Sequence, residues 1–305
     1  MEFTQKTPSL PNDFSLMVEL ANQFREDSFH VSDLPYRFSS WALDDPENAC
    51  FWYDENGKLL AWAVMQTPFW TVDLVLNPQF ARYLFPRILT WIDQRARSIR
   101  VGKYGHSAWY IPTFSEQSHF IRVLEKDGFI CQSFLDENAW SKVWMERSNS
   151  SVSRKYLLPP GFIIRTLLGN EEVPSYVYLH QETFETKNMT IPWRENTIRQ
   201  SSYRADFDLV IEAPDGRLVA FCIAWINEFD PTERIAQIEP LGCHPDFRNL
   251  ALGRIILADM LERLFETGIQ KINVETDGYR DSAFRLFQNL GFEVKREILM
   301  FRKDF

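Results

Sequence analysis

The sequence predicts an α/β (α+β) protein made of two similar halves in tandem, each a mixed, mostly antiparallel, twisted sheet flanked by helices. Three observations carry this expectation. Short turn-and-strand segments recur in the same order at nearly constant spacing. In the second half, hairpin strands come first and helix-linked strands later, which mixes antiparallel with parallel pairing. The chain of 305 residues is too long for one average domain and suits two of about 150.

The recurrence is specific. Asp54-Glu-Asn-Gly57-Lys-Leu-Leu-Ala-Trp matches Asp215-Gly216-Arg-Leu-Val-Ala-Phe, each a tight turn followed by a strand. Leu76-Asn-Pro78-Gln-Phe80 matches Cys243-His-Pro245-Asp-Phe247, and Lys126-Asp-Gly128-Phe129 matches Asn289-Leu-Gly291-Phe292. The offsets are 159, 167 and 163 residues, which points to a duplicated domain and is far too long a period for a solenoid. Residues 147–160 carry four Ser and end in Pro-Pro, a linker composition. The expected organisation is therefore 1–146, a linker over 147–160, and 161–305.

Taken in order, the second half opens with a strand over 162–167. A helix over 171–184 is interrupted early by Pro174, and a loop through Met189-Thr-Ile-Pro-Trp193-Arg194 leads to a short helix over 195–201. Strands over 208–213 and 217–227 form a hairpin around Pro214-Asp-Gly216. A strand over 235–243 precedes a helix over 252–266, whose apolar positions 256, 257, 260, 261 and 264 form a 3.6-residue stripe. Gly268 stops that helix. A strand over 271–276, a helix over 281–289 ended by Gly291, and a strand over 292–301 complete the chain.

Composition excludes several function classes. A hydrophobic share of 45% with 25% charged residues is that of an ordinary globular protein. The net charge of −9 argues against a general nucleic-acid binder. Cys50, Cys131, Cys222 and Cys243 form no CxxC pair, so no metal site is expected and reduced thiols in a cytoplasmic protein are. The N-terminus has no apolar core of signal-peptide length, and no uninterrupted apolar run reaches about 18 residues, so no membrane span is expected.

The stretch from Glu239 to Arg254 (Glu-Pro-Leu-Gly-Cys-His-Pro-Asp-Phe-Arg-Asn-Leu-Ala-Leu-Gly-Arg) is the most informative in the chain. A strand ends in a Pro-containing turn, and small residues at 251 and 253 then open a helix. Free backbone N–H groups at a helix start are a pyrophosphate site, and small side chains let phosphates approach. The spacing is neither a GxxxxGK[ST] phosphate loop nor a GxGxxG dinucleotide fingerprint.

These residues resemble the GNAT superfamily of acyl-CoA-dependent N-acetyltransferases. Its pattern V-x-P-x-x-(R/Q)-x-x-(G/A)-x-(G/A) reads here Cys243-His-Pro245-Asp-Phe-Arg248-Asn-Leu-Ala251-Leu-Gly253. Its second element, N-x-x-A-x-x-L-Y-x-x-x-G-F, reads Arg280-Asp-Ser-Ala283-Phe-Arg-Leu286-Phe287-Gln-Asn-Leu-Gly291-Phe292. The two halves together resemble tandem GNAT proteins of the mycothiol synthase-like kind. The resemblance implies acetyl-CoA as co-substrate, bound by Leu241, Gly242, Cys243, Arg248, Asn249, Leu250, Ala251, Leu252, Gly253 and Arg254. It also implies direct transfer to an amine acceptor, here expected to be a small molecule. A non-catalytic acyl-CoA-binding module and a protein or peptide N-acetyltransferase are the alternatives. In the first half, Tyr83, Leu84 and Phe85 follow the turn where small residues are needed, so that half is expected to lack a working CoA site and to wall the acceptor pocket.

Three departures from the family pattern matter. Ala251 replaces Gly and is expected to take a right-handed helical conformation. Arg280 replaces Asn. Phe287 replaces the Tyr that protonates the departing thiolate, and a phenyl ring has no proton to give. Glu239 is the expected general base, on the face shared by 239, 241 and 243 in an extended strand; the alternative is a structural carboxylate. Tyr279 is the expected substitute acid, or else a packed loop aromatic. His244 is expected to cap the turn or face solvent, Cys243 to be a small strand residue, and Asp206 and Asp208 to be solvated. Met189–Arg194 is a candidate lid over the acceptor.

Overall fold

Every strand of both halves joins one sheet. The computed structural model describes residues 2–100, 106–135, 139–149, 156–228, 232, 234–278 and 281–305. The N-terminal half contains β1 (Thr4–Lys6), α1 (Phe14–Gln23), α2 (Leu34–Phe38), β2 (Ala49–Tyr53), β3 (Leu59–Gln66), β4 (Thr71–Leu76), α3 (Ala81–Ile99), β5 (Ala108–Phe114), α4 (Ser118–Lys126), β6 (Ile130–Cys131) and β7 (Ser141–Ser148). The C-terminal half contains β8 (Ile163–Thr166), α5 (Val173–Phe184), α6 (Ile191–Ile198), β9 (Asp208–Glu212), β10 (Leu218–Ile226), β11 (Ile235–Cys243), α7 (Leu252–Glu266), β12 (Lys271–Asp277), α8 (Asp281–Asn289) and β13 (Glu293–Asp304). The strand order is β1-β2-β3-β4-β5-β13-β7-β12-β11-β10-β9-β8, with β6 added on β13.

The predicted mixed, mostly antiparallel fold is present, and the halves meet by exchanging their last strands. β7 pairs along its length with β12, and β13 pairs with β5. The two exchanged strands also pair with each other. Burial on both faces explains why β13 reads as a continuous apolar run rather than an alternating one. Leu299 and Phe301 enter the N-terminal core, while Ile298 and Met300 pack with Phe114 on the opposite face. Among the described pairings, only β4 with β5 and β11 with β12 are parallel.

The duplicated segments have matching conformations. Asn77 and His244 each accept the backbone N–H two residues on, at the head of the short turns Pro78–Phe80 and Pro245–Phe247. Gly128 and Gly291 both take positive φ, 84° and 83°. The α7 stripe at 256, 257, 260, 261 and 264 is buried against the sheet with Ile272, Val274 and Phe287.

Two local expectations are corrected. Pro174 starts α5 rather than interrupting it, because its missing N–H falls where the helix has no acceptor to offer. The loop through Met189–Trp193 is the head of α6, capped by the Thr190 hydroxyl, which accepts from the Trp193 N–H at 3.2 Å. Met189 and Trp193 are buried. The Trp193 indole donates to the Tyr36 carbonyl (3.2 Å), Trp41 to the Asn188 carbonyl (2.9 Å), and the Asn188 amide to the Pro68 carbonyl (2.6 Å). The segment therefore clamps the two halves together and is no free lid. Among the described residues, no helix is long and apolar enough to cross a membrane.

Candidate active site

The parallel pairing of β11 with β12 stops at Gln237 and Asn273. Beyond that point β11 is bonded on one side only, to β10. The His244 N–H donates to the Val219 carbonyl on β10 at 2.9 Å. By the alternation of the ladder, the N–H groups of Leu241 and Cys243 point the other way, into the open gap. A free strand edge of this kind suits an extended, amide-bearing ligand.

The gap leads to the start of α7. Asn249 and Ala251 both have positive φ, 69° and 59°, so the expected right-handed conformation of Ala251 is corrected: it is left-handed. The family's preference for Gly here follows from that, because a Cβ costs about 1–2 kcal/mol in this region. The alternation of hands turns successive N–H groups toward one concavity. Among the described residues, the N–H groups from Asn249 to Gly253 have no backbone acceptor, while those of Arg254 and Ile255 are taken by the Ala251 carbonyl. Gly253 is helical, and a Cβ there meets only Leu286 Cδ2 at 3.6 Å. Arg248 flanks the concavity and donates to the Thr183 carbonyl at 3.3 Å.

In the N-terminal half the same turn runs straight into a helix. Pro78–Phe80 is followed at once by α3, with no loop between, and Leu84 and Phe85 are buried in the core. The residues that form the concavity after Phe247 have no counterpart after Phe80.

Gly242 has a packing role. A Cβ there approaches Thr183 Cγ2 to 2.6 Å and the Phe221 ring closer still. Only glycine lets α5 lie this close to the sheet. Gly242→Ala is expected to lower stability by about 1–3 kcal/mol, read as a lower urea midpoint at unchanged m-value.

Glu239 does not share a face with Leu241 and Cys243, as an unbroken strand requires. The register of β10 with β11 shifts between Cys222 and Ala224, so that Glu239 and Pro240 together oppose Ile223. This bulge flips the alternation: Ala236, Ile238, Leu241 and Cys243 all pack on the α7 side. The Trp225 indole holds the bulge by donating to the Glu239 carbonyl at 2.8 Å. Bulges commonly re-aim one side chain; Glu239 is half-buried, and charged groups of both halves bear on its carboxyl.

Those groups form an organised cluster. His30 Nδ1 lies 2.8 Å from Asp33 Oδ2, and its Nε2 lies 3.8 Å from Asp73 Oδ1. Arg37 donates two bonds to Asp73 at 3.0 and 2.6 Å, and Gln66 a third at 2.8 Å. Lys142 from β7 pairs with Glu275 on β12. Burial pushes the Glu239 carboxyl up to about 7, with Asp33 and Glu275 adding to the rise and Arg37 and His30 opposing it. Burial also works against a charge on His30, but Asp33 and Asp73 outweigh it and hold its pKa above the ordinary value.

The remaining candidates fall in different places. Tyr279 and Arg280 lie outside the described residues. Phe287 is buried against Phe292 with ring centroids 5.4 Å apart. Cys243 is pushed up to about 11 by burial, which keeps it a thiol. His244 is a cap rather than a solvated side chain, accepting the Asp246 N–H at 3.2 Å. Asp208, expected at the surface, is fully buried with Arg194 and Tyr203, whose hydroxyl donates to it at 2.6 Å; the Arg194 charge beside it makes burial tolerable. His30, Asp33, Tyr36, Arg37 and Asp73 carry no motif that marks them in sequence. The i, i+3 spacing of His30 and Asp33 was the one local sign.

Residues 170–292 match the acetyltransferase (GNAT) family. A mycothiol acetyltransferase from Sanguibacter keddieii is 27% identical over 141 residues, 44% of this chain and 44% of that protein. The chain thus spans less than half the length of that relative. The [ribosomal protein bS18]-alanine N-acetyltransferase of Salmonella typhimurium is 26% identical over 108 residues, 35% of this chain and 69% of that protein. Two solved structures share the fold over nearly the whole chain. A GCN5-related N-acetyltransferase from Sphaerobacter thermophilus has a TM-score of 0.65 at 17% identity, covering 99% of this chain and 95% of its own. A tandem GNAT protein from the clavulanic acid biosynthesis pathway has a TM-score of 0.65 at 12% identity, covering 99% and 98%.

Proposed function

We propose that this chain, which carries a GNAT acetyltransferase domain over residues 170–292, is an N-acetyltransferase that moves an acetyl group from acetyl-CoA directly to the amine of a small molecule. The observation that carries the reading is a row of backbone N–H groups left without a backbone acceptor. The open edge of β11 runs from beside Glu239 to the unpaired N–H groups of Asn249 to Gly253. This row suits CoA: a strand edge for the pantetheine amides, a helix start for the pyrophosphate, and no side chain at Gly253 to block it. Acetyl-CoA supplies the activated acyl group. Leu241, Cys243, Arg248 and the 249–253 backbone hold and orient it, and a gap-facing N–H stabilises the oxyanion. Glu239, with its pKa raised to about 7, takes a proton from the amine near neutral pH.

A second reading, a protein or peptide N-terminus as acceptor, is favoured by the likeness to the ribosomal-protein alanine acetyltransferase. The non-catalytic alternative draws on Phe287, which offers no proton. The experiment that tests the common premise is ligand binding. Acetyl-CoA at about 100 times its Kd should stabilise the protein by about 2.7 kcal/mol, read as a higher melting temperature. Gly253→Trp should abolish the shift while the unliganded protein still melts cooperatively. An unchanged melt of the native chain in saturating acetyl-CoA overturns the proposal; transfer to alaninamide or to an alanine-led peptide then separates the two acceptor classes.

A further inference from the structure

The N-terminal half keeps the opening of the sheet while lacking the phosphate cradle. β4 and β5 are parallel and pair only at Thr71 and Tyr110. Beyond that point they part, as β11 and β12 do beyond Gln237 and Asn273. At the offset of 167 residues that relates Pro78 to Pro245, Leu74 and Leu76 correspond to Leu241 and Cys243. We propose that the slot between β4 and β5 is a second binding site, which takes a short secondary amide bearing no phosphate, such as the N-acetyl end of a small molecule.

Backbone geometry gives the slot donors on one wall and an acceptor on the other. The Asn77 N–H donates to the Leu60 carbonyl on β3 at 2.8 Å, so by the alternation of the ladder the N–H groups of Leu74 and Leu76 point into the slot. Among the described residues, neither has a backbone acceptor. On β5 the Tyr110 N–H donates to the Trp70 carbonyl at 2.8 Å, and just past its end the Ser115 N–H donates to the Glu297 carbonyl on β13 at 3.0 Å. The positions facing the slot are therefore 110, 112 and 114. Pro112 has no N–H, and the Phe114 N–H is taken by Gln117 Oε1 at 3.2 Å. β5 thus offers the Pro112 carbonyl as an acceptor and no free donor. A secondary amide matches both walls: its carbonyl accepts from β4 and its N–H donates to β5.

A cavity of about 60 Å³ occupies the slot. It passes through the sheet. Leu76 and Phe85 line it on the α3 face together with Phe120 of α4, and Phe29, stacked on Phe114 with ring centroids 4.1 Å apart, lines it on the opposite face. A single water needs about 10–15 Å³, so the volume suits an acetamide group and is far too small for a coenzyme. The turn Pro78–Phe80 runs at once into α3, which leaves no row of free N–H groups for a pyrophosphate. Asp27, an exposed residue lining the cavity, adds a negative charge that repels phosphate. Unpaired backbone N–H groups between apolar walls are costly to leave without a partner, and a neutral amide supplies one without bringing charge into the sheet.

The test uses the full chain labelled with nitrogen-15 leucine, with the Leu74 and Leu76 amide signals assigned by their loss in Leu74→Ile and Leu76→Ile. N-methylacetamide should move both signals saturably, with the weak, millimolar Kd of a ligand of so few atoms. Methyl acetate, the same size but without an N–H, should bind about five- to tenfold more weakly. Leu74→Phe, which fills the slot, should abolish the Leu76 shift while the protein still melts cooperatively; if that variant fails to fold, the titration of the native chain decides. N-acetyl-alaninamide should displace the probe and pantetheine should not, because α3 closes the track that a longer arm needs. Acetyl-CoA should move the Leu241 signal and leave Leu74 and Leu76 in place. The absence of a saturable shift at Leu74 and Leu76 in the native chain overturns the proposal, and so does equal binding of methyl acetate. Shifts at those two residues with acetyl-CoA, or displacement by pantetheine in preference to N-acetyl-alaninamide, overturn the assignment to a short amide. Failure of the coenzyme reading shows separately, as an unmoved Leu241 signal in saturating acetyl-CoA.

Discussion

Glu239→Gln is expected to slow acetyl transfer by about 10²–10⁴-fold with little change in KM for acetyl-CoA. The amide keeps the size of the side chain and the backbone carbonyl that Trp225 bonds, so the bulge and the groove persist while proton removal stops. In the native protein, the rate should rise with pH through about 7, where the carboxyl ionises, and level off above it. The same shift has a stability consequence of defined sign. The folded state holds this proton up to about 7, whereas an unfolded glutamate loses it near its ordinary value of 4.5. Between those two values the folded protein binds the extra proton, so stability falls as pH rises. Gln carries no such penalty. The variant should therefore melt higher than the native protein above pH 7 and equal it near pH 4. A slower enzyme that is also more stable at alkaline pH is the signature of a residue kept for chemistry. Full activity in this variant removes Glu239 as the base.

How much of this was legible in sequence follows the range of the interactions involved. Turns are local, so Pro78 and Pro245, Gly128 and Gly291 announced the duplication, and their conformations match. The α7 stripe and the unpaired N–H row after Phe247 are also local, written within about twenty consecutive residues. The aim of Glu239 was not legible, because the bulge is set by the register of a neighbouring strand, at Cys222 and Ala224. Nor was the left-handed turn at Ala251, since alanine is the residue that most strongly suggests a right-handed helix. The His30, Asp33, Arg37 and Asp73 cluster precedes Glu239 by more than 160 residues and is brought to it only when the halves dock. Met189 to Trp193 reads as a loop in sequence, with Pro192 inside it. Pro at the first turn of a helix is favourable, and the Thr190 cap makes the segment a helix start.

Cutting the chain within 147–160 should leave neither half folded. The break falls just after β7, which lies between β12 and β13 and pairs with both. A fragment of residues 161–305 keeps the family match and the whole α7 cradle, yet it loses the strand that covers the long edge of β12. Its β13 would expose Leu299 and Phe301, which in the intact chain complete the N-terminal core. The N-terminal fragment loses the partner of β5 over seven residue pairs, from Ala108 to Phe114. Both pieces would present long apolar edges, the feature that drives strand-to-strand aggregation. The expected result is insoluble or molten fragments when each is made alone, and recovery of a single cooperative melt and of the acetyl-CoA shift when the two are made together. The intact chain should unfold in one transition by circular dichroism and by tryptophan fluorescence, with coincident midpoints. Two separated transitions, or a 161–305 fragment that folds and binds acetyl-CoA by itself, would show that the exchanged strands are dispensable. The physical reason to expect otherwise is that Glu239, the proposed base in one half, and the charged groups of the other are held in register by those same two strands. Lys142 on β7 reaches Glu275 on β12, so the exchange that completes the sheet also positions the cluster around Glu239.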